Sequence, residues 1–155
     1  NGLIDGDVVV AGGQICPGNS LGVMNIYGNL DILDGAVMLD LCGLTAGETH
    51  DQIFLTGEVA FGGVLQVLAS PELDLEVGDA FEVMRYAGYT GEFASYAGLD
   101  LGNGRYFDVD YQPTRLVLTV AVPEPSTSVL ILAMLALIGP LAVRRRAMRG
   151  EQPVG

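Results

Sequence analysis

The chain has 155 residues, a formal net charge of −12, 22 glycines, two cysteines and no tryptophan. Negative charge of that size repels a phosphate backbone and argues against nucleic acid as a partner. Glycine without a three-residue period excludes collagen, and a hydrophobic content of 50% is too high for an acidic disordered segment. The charge is unevenly spread: up to Ala121, 17 Asp and Glu face only Arg85, Arg105 and Arg115, a balance of −14, while the other four arginines lie in the tail and lysine is absent.

The chain opens Asn1-Gly2-Leu3-Ile4-Asp5-Gly6, with no initiating methionine, basic n-region or apolar h-region. No signal peptide is visible, and the expectation is a carboxyl-terminal or processed form of a longer precursor. Short β-prone segments then alternate with glycine turns: 8–11 before Gly12-Gly13, 22–27 before Gly28-Asn29, 30–33 before Asp34-Gly35, and 36–41 before Gly43. The series goes on with 52–56 before Gly57, 58–61 before Gly62-Gly63, and 64–69. Strands of four to six residues are expected, joined by turns that favour positive φ. In 22–27, Val23, Asn25 and Tyr27 are expected on one side, and Met24 and Ile26 on the other. No amphipathic stretch of helical period precedes Val129.

Spacings of seven to eight residues between the turns at Gly28, Gly35 and Gly43 suggest β-rungs, each burying its apolar face on the next. Asn25 or Asn29 would then join a side-chain ladder. An antiparallel sandwich, with Asp34-Gly35 and Gly62-Gly63 as hairpin turns, fits the local pattern too. The expectation adopted is all-β: a short right-handed parallel β-helix (β-solenoid) over 1–78, with a capping segment of the same domain over 79–121. Eight of the eleven aromatics fall in that later segment. Core packing is the usual fate of Phe and Tyr, so capping is preferred to an aromatic platform for sugar.

Two stretches, Cys16-Pro17-Gly18-Asn19-Ser20-Leu21-Gly22 and Met24-Asn25-Ile26-Tyr27-Gly28-Asn29-Leu30, resemble the Pro-Gly-Asn-Ser and Gly-x-Leu signature of autotransporter-type passenger repeats. The resemblance continues through Asp51-Gln52-Ile53-Phe54-Leu55-Thr56-Gly57 to the closing strand around Arg115-Leu116-Val117-Leu118. It implies a β-helical fold and says little about a ligand. Cys16 departs from the pattern, and no outer-membrane barrel follows the module.

Candidate chemistry is sparse. His50, the sole histidine, adjoins Asp51, but neighbours in an extended segment point opposite ways, and a loop histidine needs no partner. No catalytic residue is assigned and no enzyme is expected. Cys16 and Cys42 are equally compatible with one disulfide, closing a loop of about 27 residues and stabilising by about 3 kcal/mol, and with two free thiols. Asp108 and Asp110 share a strand face, yet neither an EF-hand nor a calcium-repeat spacing is present. They read as a solvated face, with no metal and no cofactor expected.

The tail carries the clearest signal. After Val122-Pro123-Glu124-Pro125-Ser126, residues 128–143 are apolar and uncharged, and Arg144, Arg145 and Arg146 follow. A spanning helix needs about 17–25 residues, so 128–143 is short, but snorkelling arginine stems extend it. The arginines set the carboxyl end (144–155) in the cytoplasm and the bulk of the chain outside. This arrangement resembles the PEP-CTERM sorting signal of Gram-negative bacteria. The resemblance implies recognition by an exosortase, a membrane cysteine transpeptidase-like enzyme, with processing near the 122–127 linker. The expected protein is a non-enzymatic surface or extracellular-matrix element, anchored in the bacterial membrane by one span until it is processed. Its expected partners are exosortase and the lipid membrane. The alternatives are an exopolysaccharide-binding adhesin module, and the end of a larger polysaccharide-active β-helix enzyme.

Overall fold

A computed structural model describes residues 1–18, 21–125 and 133–135. The chain divides into two units, Asn1–Val122 and Pro123–Gly155, and the fold is that of the first. Strands recur in threes. The first coil is β1 (Gly2–Asp5), β2 (Val8–Val10) and β3 (Gln14–Ile15); the second is β4 (Val23–Tyr27), β5 (Leu30–Ile32) and β6 (Ala36–Leu41). The third is β7 (Gln52–Leu55), β8 (Glu58–Phe61) and β9 (Val64–Ala69), and the fourth is β10 (Ala80–Arg85), β11 (Gly88–Gly91) and β12 (Ser95–Ala97). Each strand pairs in parallel with its counterpart one coil on. Three parallel sheets stacked in register result, consistent with a short β-solenoid.

The register explains the alternation in sequence. Inward positions stack into apolar rows: Ile4, Ile26 and Leu55 in the first sheet, Val8, Leu30, Val59 and Tyr89 in the second, and Ile15, Val37 and Leu65 in the third. Ile26, Leu30, Val37, Leu55, Val59 and Leu65 are all buried in one continuous core. β-branched and leucine side chains suit this pleated, half-buried surface, and one face of each strand turns inward because side chains alternate.

The tight corners account for the glycines. A Cβ on Gly57 would overlap the Asn29 side chain and the Gly28 carbonyl; Gly63, at φ 54°, sits against the Gly35 carbonyl. Neither position has room for a side chain, because each corner lies on the one below. The Asp34-Gly35 and Gly62-Gly63 turns are therefore corners between sheets, not hairpins. The first corner also carries a polar ladder. Asp7 Oδ1 accepts from the Asn29 backbone N–H at 2.7 Å and from Asn29 Nδ2 at 3.1 Å, and Asn29 Oδ1 accepts from the Glu58 N–H at 2.8 Å.

The aromatic-rich stretch over 79–121 holds two kinds of strand pairing. Residues 80–97 form the fourth coil, and antiparallel pairing begins only with β13 (Asp100–Gly102), β14 (Arg105–Gln112) and β15 (Arg115–Ala121). β15 lies antiparallel to β10, where a fifth coil would otherwise begin, and with β14 and β13 carries the first sheet to seven strands. Aromatic side chains of the fourth coil and of β14 gather around Phe61 on β8. Phe61 is ringed by Tyr86, Tyr89, Phe93 and Tyr111 at centroid distances of 5.0–6.0 Å.

Candidate functional site

In the sorting segment, β15 ends at Ala121, and Val122, Pro123, Glu124 and Pro125 follow without regular structure, all exposed. The local cause is proline. It supplies no N–H to a sheet ladder, and Pro125 holds Glu124 extended. Ser126, Arg144, Arg145, Arg146 and most of the expected helix over 128–143 lie outside the described residues, although 133–135 are helical. Among the described residues no helix is long and apolar enough to cross a membrane.

The other residues singled out in the sequence occupy varied places. His50 is not a solvated loop residue. It is buried, edge-on to Phe81 at 5.3 Å, and its Nδ1 and Nε2 face the carbonyl oxygens of Gly43 and Glu82 at 3.0 and 3.3 Å. Asp51 is buried as well and accepts from the backbone N–H groups of Gly22 and Asp40, each at 2.9 Å. Burial raises its carboxyl above the ordinary value, and the two N–H donors only partly offset this. The pair thus fastens the 42–51 loop to two neighbouring coils.

Cys16 and Cys42 are free thiols, the first half-buried and the second exposed. The register sets Ile15 opposite Val37 and leaves Cys42 five residues farther on, past the end of β6. Asp108 and Asp110 do share the exposed face of β14, opposite Thr119 and Val117. Among the described residues no group of three or more His, Cys, Asp or Glu is placed to hold a metal ion.

One arrangement escaped the sequence reading. Arg85 on β10 and Arg115 on β15 lie directly opposite each other. Glu82 joins them, at 2.7 Å from Arg85 and 3.6 Å from Arg115, and both arginine side chains are about half exposed, at 56% and 51%. Their separation of thirty positions carries no local signal; only the antiparallel return of β15 brings them together.

Three stacked parallel sheets, consistent with a short β-solenoid, are followed in the chain by the exposed segment 122–125. Residues 121–146 match the family of the PEP-CTERM protein-sorting motif. Such a motif marks an exosortase-sorted protein, exported and membrane-anchored at the cell surface. No curated protein matches the chain.

Proposed function

We propose that this is a non-enzymatic surface or extracellular-matrix protein, in which the solenoid acts as a structural element and exosortase cuts or transfers the chain at the Pro-Glu-Pro segment. The observation that supports this most is the sorting-motif match over 121–146, combined with the exposure of Val122, Pro123, Glu124 and Pro125. A processing enzyme needs an extended, accessible backbone, and two prolines flanking one residue supply it. The structural role rests on the interior. In the buried pair, Asp51 accepts from two backbone N–H groups and both ring nitrogens of His50 face backbone carbonyl oxygens.

The test is replacement of Pro123, Glu124 and Pro125 by alanine in a host that carries an exosortase, followed by intact mass of the recovered protein. The expected result is a full-length, membrane-retained species where the parent chain yields a form ending near 123–126. Normal processing of the variant would overturn the assignment.

A further inference from the structure

The arginine pair stands in a larger arrangement. Register across the first sheet places Leu3, Asn25, Phe54, Arg85 and Arg115 in one row of neighbours, with Gln112 opposite Arg115. Strands lie about 4.8 Å apart, so the row from Asn25 to Gln112 runs for about 19 Å across the sheet. At its upper part is an open cleft of about 650 Å³, lined among others by Phe54, Thr56, Arg85, Gln112, Thr114 and Arg115.

The electrostatics of this cleft differ from those of the rest of the module. Two of the three arginines up to Ala121 meet here, in a stretch that carries 17 acidic residues. Like charges directly opposite on a sheet are destabilising, and among the described residues Glu82 is the carboxylate salt-bridged to both. Among Arg85, Arg115 and Glu82 one positive charge is left over, while Asp110 stands next to them, its Oδ2 accepting from Gln112 Nε2 at 2.6 Å. Glu82 bonds Arg85 Nε at 2.9 Å, and Gln112 accepts from Arg115 Nε, so both guanidinium groups are held in place while half of each side chain stays in solvent. Gln52 steadies Glu82 from below, through a bond of 3.0 Å.

We infer that this cleft binds a carboxylated oligosaccharide, a run of uronate units laid along the row. A guanidinium presents paired N–H donors that match a carboxylate. The Phe54 ring and Pro113 offer apolar surface to the C–H face of a pyranose, and Thr56 and Thr114 offer hydroxyl groups to its ring hydroxyls. The cleft is far larger than a single inorganic anion requires, and a row crossing several strands suits a linear polymer. The net charge of the protein opposes a polyanion at long range. At physiological ionic strength the Debye length is about 8 Å, so exposed carboxylates farther away than that are largely screened, while the two guanidinium groups act on the ligand at contact. Exposure of the module to such polymers in the cell rests on the sorting reading; the binding itself does not.

The test is calorimetric titration of the full chain, in non-ionic detergent at about 0.15 M salt, with hexagalacturonate and with its carboxyl-reduced, neutral counterpart. The acidic hexamer is expected to bind and the neutral one to bind about ten-fold more weakly or not at all. Arg85→Gln and Arg115→Gln should each weaken binding about ten-fold. Glu82→Gln should strengthen it, because the internal carboxylate that competes with the ligand is removed; a purely structural triad would give no such gain. Arg115→Lys, which keeps the charge and loses the fork, serves if Arg115→Gln does not fold. Absence of binding by the folded parent chain, equal binding of the neutral hexamer, or unchanged affinity in the folded arginine variants would each overturn the site. None of these outcomes touches the sorting assignment, which is read at Pro123, Glu124 and Pro125.

Discussion

The two cysteines show how environment separates identical side chains. Cys42 is exposed, whereas Cys16 is half-buried beside Asp40 and Asp51. Burial first, and those carboxylates second, raise the Cys16 thiol above its ordinary value of 9.0. Only the thiolate is nucleophilic, so Cys16 should be the slower to react. With iodoacetamide at pH 7.5, peptide mass spectrometry is expected to show Cys42 alkylated first, and Cys16 at a comparable rate only after denaturation. Equal rates in the folded protein would contradict the placement of Cys16. The corner glycines depend on context in the same way. Gly63 combines a positive φ with a neighbouring carbonyl where a Cβ would sit, so neither cause of its selection is visible from the dipeptide alone.

At the level of elements, the stacked corner formed by Asp7, Asn29 and Glu58 ties three coils together through side chain and backbone. Asn29 uses its amide as a donor downward and its carbonyl as an acceptor upward; of the ordinary side chains only Asn and Gln offer both. Asn29→Ala should remove both side-chain bonds and, since the corner is exposed, cost about 1–2 kcal/mol. Chemical denaturation would measure this as a lower midpoint at unchanged slope. Solenoid coils interact chiefly with their neighbours, so the damage should be felt in the first three coils. A midpoint equal to that of the parent chain would show that solvent replaces the ladder at no cost. The cap works differently. β15 turns back antiparallel to β10 and supplies Leu116 and Leu118, both buried, while Phe107 on β14 meets Phe81 edge to face at 5.6 Å.

For the whole molecule the dominant quantity is negative charge. A formal charge of −12 repels itself more strongly in the compact state than in the unfolded chain. Asp51 acts in the same direction. Its carboxyl is raised above the ordinary 3.8, so the folded state binds that proton more tightly than the unfolded state does. Stability from this group is therefore fully present below about pH 3.8 and is lost as pH rises through the raised folded value. Thermal melts followed by circular dichroism should give a higher Tm at mildly acidic pH than at pH 7.5. Asp51→Ala should lower Tm at both values, because the N–H groups of Gly22 and Asp40 lose their acceptor, and should flatten the difference. A Tm that falls on mild acidification would refute this account.

The sequence by itself determined the strand pattern and the sorting tail. Ala36–Leu41, Glu58–Phe61 and Val64–Ala69 are strands with the bounds their alternation suggests, because a side-chain period of two and flanking glycines are local properties. Pro123-Glu124-Pro125 was equally legible, since proline restricts the backbone wherever it stands. The spacing of seven to eight residues, however, is that of strands within a coil. Gly2 lies opposite Met24, Met24 opposite Ile53, and Ile53 opposite Met84, so coils are 22, 29 and 31 residues long. Unequal loops at the third corner hide that period. Only the tertiary structure decided where coiling stops, that His50 and Asp51 are buried, and that Arg85 meets Arg115. Each depends on which strands become neighbours, and that is fixed by burying one continuous core rather than by any short stretch of chain.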